Sequence, residues 1–338
     1  MTESKQIHLI NRPTGLPSKA DFAFVTAPLP PLADGEIRVR NDWMSVDPAM
    51  RGRMHDVESY KPPFKLNEAL YGLAIGHVEE SRHPDFQVGD IVRSELGWRD
   101  VVNAPADALE KIDVGEIPPQ AFLGIAGMPG MTAYVGLLRI AELKPGDVVF
   151  VSAASGAVGS LVCQIAKLKG HKVIASAGGP EKVAYLKDEL GVDEVIDYKA
   201  EPSLNKALAR AAPEGIDVYF DNVGGDHLQA AIAVANRFAR FAICGMISQY
   251  NLTGAPTVPR NLVLIMGKAL KLQGYIVSFH EDMKPDFQRD IHQWLADGKL
   301  KWKESVVQGL ENAPDALIGL FTGNNFGKML VDLRPAQD

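Results

Sequence analysis

The chain has 338 residues, 46% hydrophobic and 23% charged, and a formal net charge of −7. That length exceeds one typical hydrophobic core and predicts two domains. The acidic balance argues against nucleic acid or an anionic membrane as partner, since both require a basic surface. No apolar run approaches the roughly 20 residues of a membrane span, and residues 1–6 hold no apolar signal-peptide core. Two cysteines, Cys163 and Cys244, make no disulfide framework, so a reduced, cytoplasmic setting is expected.

In chain order, the residues up to about Leu123 read as short β-rich pieces punctuated by glycine and proline, among them 36–43, 70–78 and 89–93. These predict a small, mainly antiparallel or barrel-like β domain. Across 127–140 the period becomes helical, through Met131, Val135 and Leu138. Strands at 148–151, 172–176, 194–196, 217–220 and 240–244 then alternate with helices at 157–169, 180–190, 203–212 and 226–234. The alternation predicts an α/β, doubly wound parallel sheet, finished by a strand at 272–277 and a helix at 287–296. The tail from about Lys301 reads as strand and loop returning to the first domain. The expected domains are 1–126, 127–301 and a return segment 302–338.

The most telling stretch is Val148-Val149-Phe150-Val151 followed by Ser152-Ala153-Ala154-Ser155-Gly156-Ala157-Val158-Gly159-Ser160. An apolar strand breaks at a small-residue turn and becomes a helix with apolar positions 158, 161, 162, 165 and 168. Strand, turn and helix N-terminus together aim free backbone N–H groups at a phosphate. The G-x-G-x-x-G fingerprint lacks its first glycine here, so a turn that merely packs the helix on its strand stays open.

A NAD-selective unit carries Asp or Glu about 20 residues past the turn, on the ribose 2′-hydroxyl. The second strand instead runs out in Ala175-Ser176-Ala177-Gly178-Gly179, which leaves room for the 2′-phosphate of NADP. Lys182, in the first turn opened by Pro180, and Tyr198, past the third strand, are candidate phosphate partners. A solvated lysine and a packed strand-end tyrosine are the plain alternatives. Asn222 ends the fourth strand on the edge where open α/β sheets bind ligands, as a cofactor contact or as a turn residue.

Neither cysteine has a partner at zinc-ligand spacing, and His77 stands alone, so metal chemistry is not expected. A nicotinamide enzyme without metal stabilises developing charge through hydroxyls or amides. Tyr250, in the loop past the fifth strand, is the candidate. A phenol with a pKa of about 10 stays protonated at neutral pH and can donate to an enolate. The alternative is a loop tyrosine covering the cofactor.

Several segments fall in a telling order: Ser45-Val46-Asp47-Pro48, Met50-Arg51-Gly52-Arg53-Met54, the glycine turn, Asp221-Asn222-Val223-Gly224-Gly225, residues 244–251 and Asn324-Asn325-Phe326-Gly327-Lys328. With them the chain resembles the zinc-independent medium-chain dehydrogenase/reductases over essentially its whole length. Within these it is similar to the group of prostaglandin reductase (leukotriene B4 12-hydroxydehydrogenase), plant double-bond reductase and bacterial curcumin reductase.

The resemblance implies a GroES-like β domain and a Rossmann domain, with NADP(H) in the cleft between them. It implies Gly156, Ala157, Val158 and Gly159 at the pyrophosphate, and Lys182 and Tyr198 at the 2′-phosphate. It puts Asn222, Cys244, Gly245, Ile247, Ser248, Tyr250, Tyr275, Ile276 and Val277 along the cofactor and Asn325 near its nicotinamide end. Tyr250 would assist enolate formation on an α,β-unsaturated ketone or aldehyde, in a homodimer formed through the nucleotide domains. Ala49 stands where this group often has tyrosine, implying a wider substrate pocket. An NADPH quinone oxidoreductase and a non-catalytic NADPH-binding protein are the alternative readings.

Overall fold

The computed structural model describes residues 2–256 and 258–335. Two compact units form. The first comprises Met1–Leu123, Glu304–Asn325 and Met329–Asp338. Its long strand Glu36–Ser45 pairs antiparallel with Ala74–Ser81, Val101–Pro105 and Lys328–Asp332. Strand periodicity puts alternate residues on opposite faces. Ile37 and Val39 accordingly pack with Val78 and Val92, while Arg38 and Arg40 reach Glu80 and Glu79. The hairpin of Glu3–Leu9 with Phe22–Pro28 delivers Ile7 and Leu9 to a second core, with Met44, Trp98 and Leu317.

The tail departs from expectation. It holds a helix, Ala313–Thr322, where strand and loop were expected. Pro314 sits in the first turn and Gly323 closes the helix in the left-handed region, the arrangement that helix ends favour. Proline and glycine read as loop breakers in sequence; here they bracket a helix whose Leu317 and Leu320 are buried.

The second unit comprises Gly124–Lys303 and Phe326–Lys328. Its strands are β1 (Val148–Val151), β2 (Lys172–Ala177), β3 (Glu194–Asp197), β4 (Ile216–Asp221), β5 (Ala235–Ile243) and β6 (Lys271–Gly274). They lie in the order β3-β2-β1-β4-β5-β6, and every pairing is parallel. That order belongs to the doubly wound dinucleotide-binding sheet, whose direction reverses between β1 and β4. Phe150, Ile174, Tyr219, Leu228 and Phe241 fill the core beneath one face.

The predicted strand at 272–277 is shorter than expected. β6 ends at Gly274, and Val277–Met283 coils into a 3₁₀ turn. The Tyr275 hydroxyl donates to the Thr132 carbonyl at 2.8 Å, drawing the chain off the sheet. The helices predicted at 127–140 and 180–190 both change to π geometry in their second halves, at Gly136–Ile140 and Tyr185–Glu189. β5 starts at Ala235, ahead of the expected 240, with a register shift against β4. Among the described residues no helix is long and apolar enough to cross a membrane.

Candidate cofactor site at the carboxyl edge of the parallel sheet

Because all six strands run the same way, their carboxyl ends form one edge. The register keeps them level: Ala177 faces Asp197, Val151 faces Ala175 and Phe220, and Ile243 faces Asp221 and Gly274. The residues singled out between 156 and 277 therefore all follow strand ends on this edge.

Past β1, Ala153 takes a left-handed φ of 46° and the chain turns sharply into the helix Ala157–Leu168 (α1). A Cβ on Gly159 would stand 2.6 Å from the Ala153 carbonyl oxygen and 2.8 Å from Ala154 Cα. Only glycine lets the helix come that close to the turn. Gly156, Ala157 and Val158 remain partly exposed, and the first amides of a helix have no intrahelical acceptor. The arrangement can cradle a pyrophosphate. Gly327 closes the turn from the far end of the sequence, its N–H donating to the Ser155 carbonyl at 3.0 Å.

Past β2 and β3 the edge is basic. Gly179, with φ 101°, starts the turn carrying Lys182. Burial and, secondarily, the charge of Lys199 hold the Lys182 ammonium below its ordinary pKa. Tyr198 stands edge-on against His227, with ring centroids 5.3 Å apart. His227 is buried and bonded through Nε2 to Ser176 Oγ at 2.9 Å. Burial pushes its pKa down to about 4, so the imidazole is neutral.

Past β4, β5 and β6 the polar groups bond mostly to one another. Asn222 donates from Nδ2 to the Ser152 carbonyl at 2.7 Å and from its backbone to Ser152 Oγ at 3.0 Å. Asp221 Oδ1 accepts from the Tyr219 hydroxyl and from the N–H groups of Val223 and Gly224. Burial raises the Asp221 pKa against these bonds. The loop 244–250 is laced to the loop after β4. Cys244 and Gly245 donate to the Asp221 carbonyl, Ile247 to Asn222, and the Ser248 hydroxyl to Val223 at 2.6 Å.

The Tyr250 hydroxyl folds back beneath Gly245 and accepts the Met246 N–H at 3.2 Å. That bond uses an oxygen lone pair and not the phenolic proton. Burial pushes the Cys244 thiol up to about 12 despite a hydrogen bond with Tyr275. Tyr275 itself packs against Gly136, and Ile276 and Val277 continue beyond it, half-buried. Asn325 belongs to the first unit and stands two residues before Gly327. Sequence reasoning gave no role to Ser152, Asp221 or His227, although the first two stand in the quoted segments; Ser152 and His227 find side-chain partners far along the chain. It also passed over Lys199, which stood in plain view after Tyr198.

A doubly wound sheet with a glycine turn and a basic second-strand end defines a dinucleotide-dependent oxidoreductase. Residues 5–112 match the family model described as the N-terminal domain of oxidoreductase, and 157–293 that described as zinc-binding dehydrogenase. The chain is 40% identical to the NADPH-dependent curcumin reductase of Escherichia coli (strain K12), across 96% of this chain and 95% of that one. It is 42% identical to the 2-alkenal reductase (NADP(+)-dependent) of Nicotiana tabacum, across 97% of each. CurA from Vibrio vulnificus, crystallised in complex with NADPH, has 44% identity and a TM-score of 0.93, covering 98% of this chain and 100% of that one. The chain belongs to the zinc-independent medium-chain dehydrogenase/reductases, in the group that holds the curcumin, alkenal and prostaglandin reductases.

Proposed function

We propose that the chain is an NADPH-dependent reductase of the carbon–carbon double bond in α,β-unsaturated ketones and aldehydes. Its end-to-end identity with curcumin and 2-alkenal reductases carries this reading. The acid-free end of β2 beside Lys182 fits the cofactor, since a carboxylate there would repel a 2′-phosphate. Bound NADPH supplies the hydride that reaches the β-carbon of the conjugated substrate.

The chain supplies position and charge. Amides of Gly156, Ala157, Val158 and Gly159 hold the pyrophosphate; Lys182 and Tyr198 hold the 2′-phosphate. Asn222, Cys244, Gly245, Ile247, Ser248, Tyr275, Ile276 and Val277 line the dinucleotide, and Asn325 serves its nicotinamide end. Tyr250 donates its phenolic proton in a hydrogen bond to the substrate carbonyl oxygen, steadying the enolate until a proton reaches the α-carbon.

Ala49 widens the substrate pocket, and the first unit serves as the GroES-like substrate domain. The enzyme works in the cytoplasm as a homodimer joined through its nucleotide units. Val263 and Met266, 65% and 77% exposed shortly before the edge strand β6, offer apolar surface for that pairing.

The test follows loss of reduced-nicotinamide absorbance over enones such as 1-octen-3-one, alkenals and quinones, with NADH alongside. Saturated ketones and aldehydes as products, with NADPH strongly preferred, are expected. Turnover of quinones alone, or cofactor binding without turnover of any electrophile, overturns the reading.

A further inference from the structure

We propose that Lys199 is a third determinant of NADPH over NADH, holding the 2′-phosphate together with Lys182 and Tyr198. The inference rests on the cofactor reading above and adds a residue to it. Lys199 follows Tyr198 past the end of β3, and one carboxylate fixes its course. Asp197 Oδ1 accepts the Gly179 N–H at 3.0 Å and the Lys199 N–H at 3.1 Å. The turns after β2 and β3 are thereby tied at a single atom.

The lysine stem then lies across Gly178. A Cβ at 178 would stand 2.9 Å from Lys199 Cε, 3.0 Å from its Cδ and 3.0 Å from Tyr198 Cε1. A residue without a side chain leaves the stem and the ring where they are. The same tie commits Asp197: an acid in this corner would repel a phosphate, and two N–H groups offset its charge.

Lys199 and Lys182 lie close enough for the first to disfavour the charge on the second. A phosphate dianion placed between them reverses that sign. Other lysines of this unit, Lys167, Lys271 and Lys303, reach carboxylates. Lys199 makes no ion pair among the described residues. Tyr198, braced by buried His227, gives the pair one fixed wall.

The test is calorimetric titration of the full chain and of K199Q and K199R with 2′,5′-ADP and 5′-AMP, joined to kcat/KM for NADPH and NADH. Loss of one charged hydrogen-bond donor predicts that K199Q lowers the preference for 2′,5′-ADP over 5′-AMP about tenfold. The NADPH-to-NADH ratio of kcat/KM should fall alongside it, and K199R should restore most of both. An equal loss for both nucleotides, or no loss, overturns the proposal and leaves the cofactor reading standing. A parent chain that binds 2′,5′-ADP no better than 5′-AMP overturns both.

Discussion

The two ends of the strand edge solve opposite problems. At the β2–β3 end, Lys182 and Lys199 lie within electrostatic range of each other, the Lys199 stem crosses Gly178, and Asp197, the acid that ends β3, accepts two backbone N–H groups. At the β4–β6 end, Asp221, Ser152, Asn222 and Ser248 bond to one another and to neighbouring backbone. The first end brings two like charges near each other, which suits an anion. The second has bonded most of its polar groups to one another beforehand, Asp221 Oδ2 being buried without a hydrogen-bond partner among the described residues, and on the proposed cofactor reading it would present a largely preorganised wall. On that reading, affinity would come mainly from one end and orientation from the other.

The largest expected effect would break the first end from beneath. His227 titrates at about 4 in the folded chain against 6.5 unfolded. Between those values the unfolded chain binds a proton that the native one does not, so stability is full above pH 6.5 and falls as pH drops toward 4. The loss from this one group is about 3 kcal/mol. Urea unfolding across that range should show it, and H227Q should remove that share of the slope.

At the other end, Y250F should lower kcat for 1-octen-3-one about 10²-fold, in steady-state assays at saturating NADPH. A drop below threefold would take Tyr250 out of the chemistry. Next in size, K182Q should raise the NADPH KM about tenfold and shift the NADPH-to-NADH ratio with it. A matching rise for NADH would mean that the basic end does not read the 2′-phosphate. The smallest effect is a near absence. With its thiol at about 12, Cys244 should resist iodoacetamide at mildly alkaline pH in the native chain and be labelled once unfolded. Rapid native labelling, read by peptide mass, would show that this wall is looser than its hydrogen bonds imply.

The same contrast explains what could be read in the chain beforehand. The glycine turn, the missing acid after β2 and the alternation of strands and helices are local patterns, and a parallel sheet leaves little choice about which edge they reach. The helix Ala313–Thr322 was hidden because its proline and glycine signal both breaks and boundaries. The end of β6 was hidden because Tyr275 bonds to Thr132, far away in sequence. The Ser152–Asp221 network is likewise non-local: Ser152 joins backbone and side chains some seventy positions along. Hydrophobic period reveals which residues go inside; it is silent on which polar groups meet there.

Gly327, whose N–H closes the glycine turn onto Ser155, has one more consequence. During synthesis the sheet and α1 leave the ribosome well before residue 327 exists. Because chains emerge from the N-terminus and domains tend to fold in that order, the phosphate cradle is assembled early but latched late. A released chain truncated after Lys303 would hold all six strands of the sheet with the turn unfastened, and a bound cofactor would report the Gly327 latch by how tightly it stays.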